Sequence, residues 1–184
     1  MINQKILKSG LVGGLIVFVW GMFSWIVLPF NRAQYKPFIN EKAVCAKIQE
    51  NAPESGLYML PYMNCQGEKE VQAVQQQMKE GPVIIMTVAK AGEVTGMVGT
   101  LTAGLIVNIA AATLVAWVIA YTRLTILPEV MPFVLVLAVL MGWMSGMPLV
   151  LWYHFPISFA LLGIVDSIIG WSMAGWAMTK MMKP

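Results

Sequence analysis

Within the apolar stretch 158–178, SFALLGIVDSIIGWSMAGWAM, stands one carboxylate, Asp166. About 20 apolar residues suffice to cross a bilayer as a helix. A charge at the middle of such a helix costs roughly 2.5–3.5 kcal/mol on insertion scales, so it is expected to face a bundle interior and find a partner there. Asn108, Ser145 and His154 are the polar side chains expected to gather with it. At about 1.5 Å of rise per residue, Asp166 and Ser145 lie roughly 10 Å below the outer interface. Asn108 lies about one turn lower, and His154 sits at the membrane surface. Asn108 or Ser145 is therefore the expected hydrogen-bond partner of Asp166. Two chemistries fit this cluster: a proton or substrate path opening outward, and a buried hydrogen-bond knot that fixes helix register. No second ionisable group lies at the depth of Asp166, and the sequence leaves both readings open.

Two further sets of residues could carry chemistry. Cys45 and Cys65, the two cysteines of the chain, both fall in its polar region, 31–95. On an oxidising side of the membrane they are expected to form a structural disulfide. Disulfide-forming quinone reductases also have four spans, but they carry a C-x-x-C and a second cysteine pair, and this chain has neither. Met59, Met63 and Cys65 form M-x3-M-x-C with His154 on the same side, and soft ligands of this kind suit Cu(I). Against that, the chain has 15 methionines, Met is a common filler of irregular packing, and a cysteine held in a disulfide is no copper ligand. No catalytic residue, metal or cofactor is assigned.

The composition says what must position these residues. Of 184 residues 58% are hydrophobic and 11% charged, against about 25% charged in an average soluble domain, so the chain reads as an integral membrane protein. Its net charge of +3 comes without a basic cluster interleaved with aromatics, which argues against nucleic-acid binding. A lone histidine excludes bis-histidine haem.

Four apolar runs predict spans at 11–30, 97–120, 131–151 and 158–178. The first follows Lys5 and Lys8 but is about 20 residues long, where a signal peptide has an apolar core of roughly 7–15. Trp25, Pro29 and Phe30 occupy the place of a small-residue cleavage site, so an uncleaved span is expected. Small residues recur along three spans and should let helices approach closely. They are Gly10, Gly14 and Gly21 on the first; Gly96, Thr100, Gly104, Asn108, Ala112, Ala116 and Ala120 on the second; and Gly163, Ser167, Gly170 and Ala174 on the fourth. In the polar region Asn40 should cap a helix at 41–51 and Gly81 should end another at 68–80. Strands are expected at 55–63, interrupted by Pro61, and at 82–89. The fold class is membrane all-α: a four-helix transmembrane bundle with a small α/β extracytoplasmic domain between spans one and two. The divisions are 1–30, 31–95 and 96–184.

Lys5, Lys8, Arg123, Lys180 and Lys183 mark one side of the bundle, and the turn 152–157 opposite has no Lys or Arg. Both termini are then cytoplasmic and 31–95 extracytoplasmic. Two stretches, WGMFSWIVLPF at 20–30 and NAPESGLYMLP at 51–61, resemble a family of small bacterial four-span inner-membrane proteins with no assigned activity. The resemblance implies one span, an external domain and three more spans in the bacterial inner membrane. It transfers no catalytic residue.

The first functional reading is a non-enzymatic accessory or assembly protein, docking a protein partner or its own copies through small-residue helix faces. A small oligomeric transporter or channel using the Asp166 region is the alternative, and a membrane enzyme acting on lipid or quinone comes third. The lipid bilayer is the one partner that all three share.

Overall fold

The computed structural model describes residues 4–63, 67–124 and 126–182. The chain divides into two compact units, Met1–Lys36 with Gly96–Pro184, and Pro37–Thr95.

The first unit is helical. It contains α1 (Gln4–Ile26), the one-turn α2 (Pro29–Arg32), α5 (Met97–Tyr121), α6 (Leu127–Tyr153) and α7 (Ile157–Met182). The four long helices are each long and apolar enough to cross a membrane, and the chain is a multi-pass membrane protein. α6 begins four residues before the expected 131. Pro128 therefore falls in its first turn rather than in a loop, where a missing N–H costs no helical bond, while Pro132 lies inside the helix and leaves the Pro128 carbonyl without its usual donor. α6 ends at His154, which adopts the left-handed conformation at the C-cap (φ 58°) and turns the chain toward Pro156.

Close backbone approach decides which helices are neighbours. α1 packs along α5 and α7, and α6 packs along α7. On α1, Gly10 faces Thr113, whose Cα would lie 2.7 Å from an added Cβ, and Gly14 faces Ile109 and Asn108. On α6, a Cβ at Gly142 would lie 2.6 Å from Ile164 Cα, and one at Gly146 2.8 Å from Ala160 Cα. Both seams are G-x-x-x-G spacings, which place two glycines on one helix face. The second of them, on α6, was not anticipated. At the end of the unit where α5 leads into α6, Ala112, Ala116 and Ile119 of α5 form a buried cluster. Val130 and Val134 of α6 and Ala174 and Met178 of α7 complete it. Ile6, Leu124 and Met182 pack on the same cluster, so the start of α1, the end of α5 and the end of α7 share one end of the bundle. Residues 31–36 belong with these helices: α2 packs on α1 and α7, and Ser158 Oγ donates to Gln34 Oε1 at 2.8 Å.

The second unit contains α3 (Glu41–Asn51), β1 (Gly56–Leu60), α4 (Glu68–Glu80) and β2 (Ile84–Val88). Asn40 caps α3, its side chain accepting from Ala43 N at 3.0 Å. Gly81, at φ 61°, ends α4. β1 and β2 pair antiparallel, from Gly56 opposite Val88 to Leu60 opposite Ile84. Pairing stops at Pro61, which has no N–H to donate; this shortens the strand expected at 55–63. Ser55 Oγ accepts from Lys90 N at 2.9 Å and donates to Glu93, tying the other end of the strand pair. Among the described residues of this unit only Ala52 and Pro61 are buried.

The seams give a direct test. Gly142→Leu should destabilise the protein by about 1–3 kcal/mol through overpacking, read as thermal unfolding in detergent. Gly163→Leu should change it little, because nothing lies within 4 Å of a Cβ there. Equal losses at the two sites would contradict this account of the packing.

Candidate functional site

α5 and α6 meet at the buried cluster and part toward the other end of the helical unit. Between them lies a cavity of about 920 Å³, to which α1, α5, α6 and α7 all contribute. Thr100, Leu101, Gly104 and Asn108 of α5 line one side; Ser145, Gly146 and Leu149 of α6 line the other. The base is formed by α1 and α7, with Trp20, Asp166, Gly170 and Trp171.

Asp166 is half-buried and is held by the first span. Trp20 Nε1 donates to Asp166 Oδ1 at 3.0 Å and to the Asp166 carbonyl oxygen at 3.1 Å. Gly170, one turn further along α7, makes room for the indole: a Cβ there would lie 2.9 Å from Trp20 Cδ1. The contact thus needs a donor on α1 and a glycine on α7 at matching depth. Among the described residues no Lys, Arg or His lines the cavity, so the carboxylate has a hydrogen bond but no counter-charge.

The structure brings three of the four expected polar residues together. Asn108, Ser145 and Asp166 all line the cavity, but the first two do not bond the third. Asn108 Nδ2 donates to Gly104 O on its own helix at 2.8 Å, and Ser145 Oγ donates to Gly142 O at 3.1 Å. Carbonyls three and four residues back are within reach of such side chains in any helix. His154 stands apart, exposed at the end of α6. Asn108 does not reach Asp166 because α1 lies between α5 and α7 for most of their length. The upper part of each small-residue face, Thr100 and Gly104 on α5 and Gly163 and Ser167 on α7, lines the cavity instead of a helix contact.

Asn31 is a further site residue that the sequence did not single out. Its Nδ2 donates to Ser24 Oγ at 3.0 Å and to Ser24 O at 3.3 Å, and it lines the cavity near the end of α1. Trp20 is a second such residue. The signal that could have identified it is an indole N–H at a depth in the first span comparable to that of Asp166 in the last.

The cysteine pairing falls outside the described residues, because Cys65 does; Cys45 is exposed on α3. The M-x3-M-x-C pattern is likewise described only in part. Met59 lines a second, apolar cavity of about 520 Å³ between α3 and the strand pair, with Val44, Ile48, Leu60, Ile84 and Met86. No protein-family model, curated protein or solved structure matches the chain.

The Trp20–Asp166 bond is testable by a double-mutant cycle. Trp20→Phe and Asp166→Ala together should show a coupling of about 0.5–2 kcal/mol in detergent unfolding. Additivity within about 0.3 kcal/mol would mean that the two side chains do not hold each other.

Proposed function

We propose that this multi-pass membrane protein receives a small molecule in the Asp166 cavity, from the extracytoplasmic side, as the subunit of a small transporter. The cavity itself carries the reading. Ligand sites commonly measure about 300–1,000 Å³, apolar in the main with a few convergent polar groups, and this one has that size and that lining. An ionisable residue facing a cavity inside a membrane bundle marks a substrate or ion path more often than not. Charge supports the direction. Lys5, Lys8, Arg123 and Lys180 belong to the closed end of the bundle, which the positive-inside rule assigns to the cytoplasm. The cavity then lies toward the opposite face, in the bacterial inner membrane.

The second unit favours another reading alongside this one. Its burial is slight, and Leu57, Leu60, Tyr62 and Ile84 are exposed. A two-stranded sheet with so little core is marginal on its own. This supports an accessory role in which 37–95 docks a protein partner or a second copy of the chain. Co-purification of a stoichiometric partner would favour that reading.

Cysteine accessibility tests the proposal, in a chain with Cys45 and Cys65 changed to Ser. Gly163→Cys, in the cavity, and Glu68→Cys, in the second unit, should react with an impermeant maleimide in spheroplasts. Thr122→Cys, at the closed end, should react only after lysis. Labelling of Thr122→Cys alone would reverse the orientation, and an inert Gly163→Cys would remove the cavity from reach of water.

A further inference from the structure

We infer that the cavity selects an organic cation, a protonated amine on an apolar body of aromatic size. The inference rests on the proposal that the cavity receives a small molecule and names the class of that molecule. Three observations converge on it.

Charge comes first. Among the described residues Asp166 is the one acidic or basic side chain on the cavity wall, and its hydrogen-bond partner, an indole, is neutral. A neutral donor satisfies an oxygen without cancelling the charge, so a guest cation supplies what the protein does not.

Hydrogen-bonding capacity comes second. Trp20 Nε1, Asn31 Nδ2, Asn108 Nδ2 and the Ser145 hydroxyl all give protons to acceptors of the protein itself. Each amide whose N–H2 is so engaged keeps a carbonyl oxygen, the serine keeps its lone pairs, and the carboxylate keeps its second oxygen. What these groups retain for a guest is oxygen acceptors, with the second N–H of the Asn108 amide beside them. An ammonium, with donors and no acceptor, suits these oxygens, whereas a carboxylate or phosphate would bring a second acidic group beside Asp166.

Aromatic surface comes third. Phe18, Trp20, Trp25, Phe159 and Trp171 line the same space. Ring faces attract cations within about 6 Å, Trp most strongly and more so when desolvated, and they also bury the apolar body of the guest. The combination of one carboxylate with several aromatics separates this cavity from that in the second unit, whose one charged lining residue is Lys47.

Equilibrium dialysis of the full chain in dodecyl maltoside, with empty micelles as reference, decides the matter with a charge series of one shape. The probes are 1-naphthylmethylamine, 1-naphthylmethanol and 1-naphthoate. The amine should be retained above the reference and above both isosteres. Asp166→Asn keeps an oxygen to accept from Trp20 and so should keep the fold, checked by size exclusion and circular dichroism, while lowering amine retention about tenfold or more. Equal retention of amine and alcohol, preference for naphthoate, or a folded Asp166→Asn that binds like the unaltered chain would each overturn the inference and leave the cavity a ligand site of another class. Retention of none of the three probes would overturn both. The series on the unaltered chain is decisive even if Asp166→Asn fails to fold.

Discussion

Apolar helices surrounded by lipid gain little from burying one another, so they associate where their backbones can come close. In this protein two glycine seams supply that closeness. Gly10 and Gly14 bring α1 against α5, and Gly142 and Gly146 bring α6 against α7. α1 and α7 then meet, with the Trp20 indole set over Gly170 and bonded to Asp166. Once α5 is committed to α1 and α6 to α7, the outer helices touch where Ile119, Val130 and Val134 are buried and part beyond that point. The cavity is a consequence of this pairing. It lies between α5 and α6, where Thr100 and Gly104 of α5 and Gly163 and Ser167 of α7 line it.

The single carboxylate is tolerated on terms that matter for function. A Lys or Arg partner would have closed an ion pair inside the bundle and left a purely structural knot. The indole gives Asp166 one neutral donor, shared with the carbonyl oxygen of the same residue, and leaves the second carboxylate oxygen without a partner among the described residues. The hydrogen bond joins α1 to α7; under the proposed function the same carboxylate also sets what the space between the helices can hold.

The second unit stands in contrast. Its order of helix, strand, helix, strand follows from strong local signals, yet α3, α4 and the strand pair enclose almost no core. Apolar side chains such as Leu57 and Tyr62 are exposed instead. Local signals are enough to define such elements; burying their apolar faces takes surface from elsewhere.

What the sequence determined by itself was everything that depends on near neighbours along the chain. The four long helices were legible because hydropathy over about 20 residues needs no knowledge of packing. The bounds of α3 and α4 were legible because Asn40 and Gly81 act within one turn. Asp166 was identifiable as a residue in need of a partner because the cost of a charge in an apolar helix is intrinsic to that helix. The identity of the partner was not legible. It depends on which helix lies beside α7, and periodicity along one helix does not encode the order of helices around it. The small-residue ridge of α5 shows this most clearly. One repeat runs from Gly96 to Ala120, yet Ala112 and Ala116 are fully buried while Thr100 and Gly104 line a cavity. Asn108, free in sequence to reach α7, finds its own Gly104 carbonyl one turn away, whereas Trp20 is long enough to cross from α1 to Asp166. Tertiary structure decided these outcomes because they are set by distances between helices, and those distances exist only after the glycine seams have closed.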